Sequence, residues 1–177
     1  MSLQVYQFNI WLTSILSLLL GFFVLYKNQK NKLNQSWFWT CLSVSAWSFF
    51  YVLGTFEKDY HRALYLLRFC NISAGYIPTF FIQFSINLTG SNKNKRAISL
   101  IGYLNSIIFT LFGFTDLFIP LVRPICIFNN YVTYGPIYIW FTIHFLILSF
   151  FFEFILVKSL KYLSPEKRNQ VKYVIIG

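Results

Sequence analysis

The sequence predicts an all-α fold, a polytopic membrane helix bundle, and three observations carry that prediction. Hydrophobic residues make up 56% of the 177 and charged residues only 11%, against roughly 25% charged in ordinary soluble domains. Apolar stretches long enough to cross a bilayer recur five times, since a hydrocarbon core about 30 Å thick takes about 20 helical residues. Lys and Arg collect in the connections between those stretches. With 22 Phe, 12 Tyr and 5 Trp, the chain also carries more apolar surface than a single water-soluble core of this length needs.

The first span covers 8–26. A signal peptide is the alternative for this segment, but Met1 to Gln7 hold no Lys or Arg and no small-residue cleavage site follows, so it reads as a retained helix. The second span, 37–56, opens on Trp37 and Trp39, rings suited to the headgroup layer. The third covers 63–88 and the fourth 97–122, with its membrane part ending near 119. The fifth, 137–157, opens on Tyr138 and Trp140. Each must be helical, because lipid offers the backbone no hydrogen-bond partner. A sixth apolar run starts at Gln170 and reaches Gly177 after eight residues, too few to span a bilayer. The expectation is a bundle cut as its sixth helix begins.

Between the fourth and fifth spans, Pro124-Ile125-Cys126-Ile127-Phe128-Asn129-Asn130-Tyr131-Val132-Thr133-Tyr134-Gly135-Pro136 sets an Asn pair between two β-prone runs. Asn tolerates the positive φ of a tight turn, so a short β-hairpin within 120–136, turning at Asn129 and Asn130, is one reading. An irregular loop held by prolines is the other.

Charge gives the spans a direction. Lys27, Lys30 and Lys32 fall in the first connection, Lys93, Lys95 and Arg96 in the third, and Lys158, Lys161, Lys167, Arg168 and Lys172 after the fifth span, eleven on one side. Lys58, Arg62 and Arg123 make three on the other, and Arg68 lies within a span. The positive-inside rule puts the eleven in the cytoplasm, with the N-terminus outside and the C-terminus inside a cell (inner) membrane. The net charge of +10 therefore serves orientation and lipid contact, and nucleic acid is not an expected partner. Cys41, Cys70 and Cys126 show no paired spacing, so neither a disulfide framework nor a metal site is expected. The glycosylation patterns at Asn34, Asn71 and Asn87 fall in the cytoplasm or the membrane on this map and should stay unmodified.

The third span holds most of the polar groups. Arg68, Asn71, Gly75, Thr79, Gln83 and Asn87 follow at steps of three or four and form one ridge, with Pro78 at mid-span bending the helix. The ridge is either interhelical polar packing or a signal-sensing cleft. Arg68 and Asp116 lie at comparable depth near the same membrane face and form a candidate ion pair, although each is also able to reach the headgroups. Glu153 and His144 stand alone, and one buried histidine does not make a haem site. No nucleotide loop, Ser-His-Asp set or zinc spacing occurs, so the chain is expected to carry neither enzyme chemistry nor a cofactor.

Several segments, taken in order, resemble the N-terminal seven-helix membrane region found ahead of bacterial histidine kinases and, in some proteins, diguanylate cyclases. They are Leu42-Ser43-Val44-Ser45-Ala46-Trp47-Ser48-Phe49-Phe50-Tyr51; Arg68 followed by Ala74-Gly75-Tyr76-Ile77-Pro78 and Phe81-Ile82-Gln83-Phe84; Tyr134-Gly135-Pro136 with Tyr138; and Arg168-Asn169-Gln170-Val171-Lys172-Tyr173-Val174-Ile175-Ile176-Gly177. The resemblance covers nearly the whole chain and departs at Gln83, where the family often has a histidine. It implies two further helices and a kinase or cyclase beyond Gly177. Neither histidine resembles a phosphoacceptor, since His61 precedes an arginine in an outer loop and His144 is buried in a span.

The first functional reading is thus the non-catalytic sensory region of a two-component signal-transduction protein, working by helix movement. Its expected partners are the lipid bilayer, an unknown ligand and a second copy joined through the missing output module. A stand-alone accessory subunit of a transporter or respiratory complex is the second reading, and an intramembrane enzyme the third.

Overall fold

A computed structural model describes residues 3–90 and 93–176, leaving aside the side chains of 3, 93–95 and 176. The charges expected at Lys93 and Lys95 and the end of the sixth run at Gly177 lie outside the described groups. Six helices and one small sheet make up the described chain: α1 (Leu3–Lys27), α2 (Lys32–Phe56), α3 (Tyr60–Thr89), α4 (Lys93–Gly113), β1 (Leu121–Ile125), β2 (Phe128–Thr133), α5 (Tyr138–Ser159) and α6 (Pro165–Ile176). The hub is α3. Helices α2, α4, α5 and α6 and both strands lie against it, whereas α1 packs on α2.

Local chemistry sets the boundaries. The Asn31 side chain accepts from Leu33 N at 2.9 Å to open α2, and Asp59 accepts from Arg62 N at 2.8 Å to open α3. Gly90, at φ 92°, ends α3 in a conformation that suits glycine. Helix α6 begins at Pro165, with Arg168 N donating to Ser164 O at 2.8 Å. That is five residues ahead of the apolar run at Gln170, because the charged first turn, Glu166 to Arg168, carries no apolar signal.

Three of these helices are long and apolar enough to cross a membrane, over Gln4–Lys27, Arg96–Gly113 and Tyr138–Ser159. They also expose their apolar side chains: Phe8, Leu19 and Phe23 on α1, Leu100 and Leu111 on α4, and Ile147 and Phe150 on α5. Such a surface suits lipid as its solvent. Helices α2 and α3 have the length, 25 and 30 residues, but are diluted by interior polar groups. Ser36, Thr40, Ser43, Ser45, Ser48 and Thr55 are all buried on α2. Small residues allow the close approach this needs. A Cβ on Gly54 would stand 2.6 Å from Leu67 Cγ across the α2–α3 contact, and one on Gly21 would stand 2.8 Å from Cys41 Cβ across α1–α2.

The fourth span is corrected at its end. Helix α4 stops at Gly113, Thr115 N turns back to Phe112 O, and 121–122 belong to β1. The apolar run continues past the helix because Phe118 and Ile119 are fully buried, packed with Phe141 beneath the hairpin.

The sheet is a β1–β2 antiparallel hairpin whose register shifts between Arg123 and Ile125, at Pro124, which has no N–H to give a ladder. Its turn lies at Cys126 and Ile127, with Cys126 at φ 53°, and not at the Asn pair. Asn129 and Asn130 sit in β2 because their amides have other acceptors. Asn130 Nδ2 donates to Glu57 O at 2.6 Å and Gly54 O at 3.3 Å, and Asn129 Nδ2 to Phe56 O at 3.3 Å. These are carbonyls at the C-terminus of α2, where no further helical N–H reaches them.

Candidate functional site

The residues of the α3 ridge engage partners along the length of the helix. At the hairpin end Arg68, only 5% exposed, donates from Nη1 to Phe114 O at 2.8 Å and from Nε and Nη2 to Ile119 O at 3.2 and 2.7 Å. Its Nη2 also meets Asp116 Oδ1 at 2.6 Å. The guanidinium thus binds carbonyls just beyond α4, where a cation is favoured by the helix dipole. Tyr138 OH donates to Asn71 Oδ1 at 2.9 Å, and Asn71 Nδ2 donates to Leu67 O at 2.9 Å. A Cβ on Gly75 would stand 3.1 Å from the Phe141 ring.

Below Pro78 the partners come from α4 and α2. Ser106 Oγ lies 3.0 Å from Thr79 Oγ1, 3.1 Å from Gly75 O and 3.0 Å from Gly102 O, joining α4 to α3 beside Pro78. Ser99 Oγ donates to Gln83 Oε1 at 2.8 Å, and Gln83 Nε2 reaches Asn87 Oδ1 at 3.2 Å. Asn87 Nδ2 then crosses to Lys32 O at 3.0 Å and Ser36 Oγ at 3.1 Å. Helix α3 runs unbroken through Pro78.

Near Asn71 the packing opens into two cavities. One, about 160 Å³, lies under β2 and is lined by Trp47, Tyr51 and Thr55 of α2, Leu67, Cys70 and Asn71 of α3, and Tyr131, Val132, Tyr134 and Tyr138. The other, about 330 Å³, runs between α3 and α5 and is lined by Ala74, Ile77, Phe141, Thr142, Phe145 and Leu146. Trp47, Asn71 and Tyr138 border both. The rim residues Trp47 and Leu146 are 40% and 48% exposed, so the second cavity opens sideways on the apolar surface.

The tyrosines are held by backbone. Gly135 N donates to Phe118 O at 2.9 Å and Ile137 N to Leu117 O at 3.1 Å, and Gly135 lies so close to Leu117 O that a Cβ would collide with it. This fixes Tyr134 and Tyr138 face to face, their rings 4.0 Å apart. Tyr131 OH lies 3.4 Å from Tyr134 OH. Partial burial first, then this hydrogen bond, raises the Tyr134 phenol above its ordinary range, so it remains a neutral hydroxyl at physiological pH.

The tyrosine cluster is absent from the sequence-derived site. Its signal is Tyr131, Tyr134 and Tyr138 at steps of three and four across the boundary between the 120–136 segment and the fifth span. The α4 stripe of Ser99, Gly102, Ser106 and Thr110 was legible by the same three-and-four spacing that marked α3. His144 is 9% exposed, with Nδ1 3.4 Å from Asn105 Nδ2 and Nε2 without a partner. Glu153 faces outward. Among the described residues no group of three or more His, Cys, Asp or Glu is placed to hold a metal ion.

A helical protein with an apolar exterior, an interior polar seam and a cavity at one end defines a membrane protein. The chain matches the family described as the N-terminal 7TM region of histidine kinase over residues 10–177, and it belongs to that family. This is an input region and not a catalytic one, and the membership favours the signalling reading over the accessory-subunit one. No curated protein and no solved structure matches the chain.

Proposed function

We propose that this chain is the non-catalytic transmembrane input region of a bacterial two-component signalling protein of the histidine-kinase type, relaying a stimulus through helix movement. In this reading α1 to α5 all cross the inner membrane, with α2 and α3 as the interior spans. The hairpin end faces outward and α6 lies at the cytoplasmic face, following the positive-inside rule. At 1.5 Å per residue, α3 alone is roughly 45 Å long, enough to connect the two faces.

The observation that carries the proposal is the continuity of α3 and α5 between the two ends. Asn71, Ala74 and Ile77 of α3 and Phe141 and Leu146 of α5 line the cavities. At the other end of the same helices, Phe84 and Leu88 of α3 and Leu156 of α5 pack on the fully buried Val171 of α6. A ligand that separates α3 from α5 therefore acts on the seat of α6 through the side chains packed on Val171.

The test is a fusion of the chain to a reporter histidine-kinase core in bacterial membranes. Ala74→Trp, which fills the space between α3 and α5, should shift basal reporter phosphorylation severalfold. Leu104→Trp, on the exposed face of α4, should leave it unchanged. Equal output from both variants contradicts the relay.

A further inference from the structure

We infer that the paired cavities bind an uncharged, single-chain amphiphile, its small polar head among the tyrosines and its apolar tail between α3 and α5. This deepens the input-region reading and rests on it for the binding event to carry a signal.

The chemistry of the walls selects the ligand. Neither cavity is lined by Lys, Arg, His, Asp or Glu. An ionised head would lose its water there without gaining a counter-charge, at a cost of several kcal/mol. A neutral head meets no such barrier, and the hydroxyls of Tyr51, Tyr131, Tyr134 and Tyr138 with the Asn71 amide offer both donors and acceptors. The space of about 160 Å³ is close to the roughly 150 Å³ cavity that admits a benzene ring. Aromatic walls favour a ring as the head.

The adjoining space is apolar, with Ala74, Ile77, Phe141, Phe145 and Leu146 as walls. Its volume, about 330 Å³, is at the small end of ligand pockets, roughly 300–1,000 Å³, and suits one short chain better than a two-chain phospholipid. The exposed rim at Trp47 and Leu146 lets that chain enter sideways from the bilayer. A hydroxylated-ring amphiphile made in the membrane and a free alkylphenol-like solute share this chemistry.

The experiment uses the full chain in nanodiscs of a synthetic phosphatidylcholine, photolabelled with 4-hexylphenol bearing a diazirine at the tail end. Labelling should saturate, map to α3 and α5 around Ala74, Ile77 and Leu146, and fall at least fivefold with excess 4-hexylphenol but not with hexylbenzene. Ala74→Trp should abolish it. The competition arm uses the unsubstituted chain and so decides the matter even where that variant does not fold. Native mass spectrometry of chain extracted from cells separates the sources: a co-purifying neutral amphiphile supports a membrane origin, and an empty chain that binds added 4-hexylphenol supports a solute. Non-saturating label spread over the lipid-facing side chains of α1 and α4, or equal competition by hexylbenzene, overturns the inference. Such a failure leaves the input-region reading standing, because that is judged by reporter output.

Discussion

Arg68 and Asp116 share an ion pair but not an environment. The arginine side chain is 6% exposed and the aspartate 82%. An exposed carboxylate adds little, because solvent screens it, so Asp116→Asn should cost no more than about 1 kcal/mol. Arg68→Leu removes the donors for the partly buried Phe114 and the buried Ile119 carbonyls and should cost about 2–6 kcal/mol, at roughly 1–3 kcal/mol for each acceptor left unpaired. Unfolding of both variants and the double variant in detergent by a denaturant titration checks this. Equal losses from the two single variants would show that the ion pair and not the carbonyl contacts is the main term. Depth along the spans was enough to put these two residues opposite each other in the sequence. The carbonyls were not legible, because the fourth apolar run gives no sign that its helix ends at Gly113.

At the scale of elements, the third span was readable and the hairpin only half so. Steps of three and four marked the α3 ridge, because helical geometry turns spacing into a common face. The same spacing on α4, at Ser99, Gly102, Ser106 and Thr110, is a weaker mark because these small side chains lie among apolar residues. In the 120–136 segment the β-prone runs give the strands, but local propensity puts Asn129 and Asn130 in the turn. Their amides instead cap α2, a contact between residues more than 70 positions apart that no local pattern encodes. Asn130→Ala should therefore loosen the hairpin from α2 and cost about 1–3 kcal/mol, the desolvation left at buried carbonyls. Hydrogen exchange at Tyr131 and Val132 should quicken while that of α5 stays unchanged. Unaltered exchange in β2 would show that the strand is held by its ladder alone.

For the molecule as a whole, composition and charge announced the solvent, and the family match places the chain in a membrane input region. The number of crossing helices is harder to read, because α2 and α3 carry polar side chains inward, and neither holds a stretch as apolar as Gln4–Lys27, Arg96–Gly113 or Tyr138–Ser159. A bundle hides in its interior the groups that lower the hydropathy of its central helices. In the proposed function, orientation is what would join an outer cavity, the α3 and α5 helices and an inner α6 into one input device. Cys126 is the exposed native thiol, in the hairpin turn, while Cys41 and Cys70 are buried. Labelling intact cells with a membrane-impermeant maleimide should modify Cys126, and Cys126→Ser should abolish the signal. A thiol placed on α6 by Lys167→Cys in that background should label only after the cells are broken. Labelling of Cys126 only in broken cells, or of the α6 thiol in intact ones, would contradict the account.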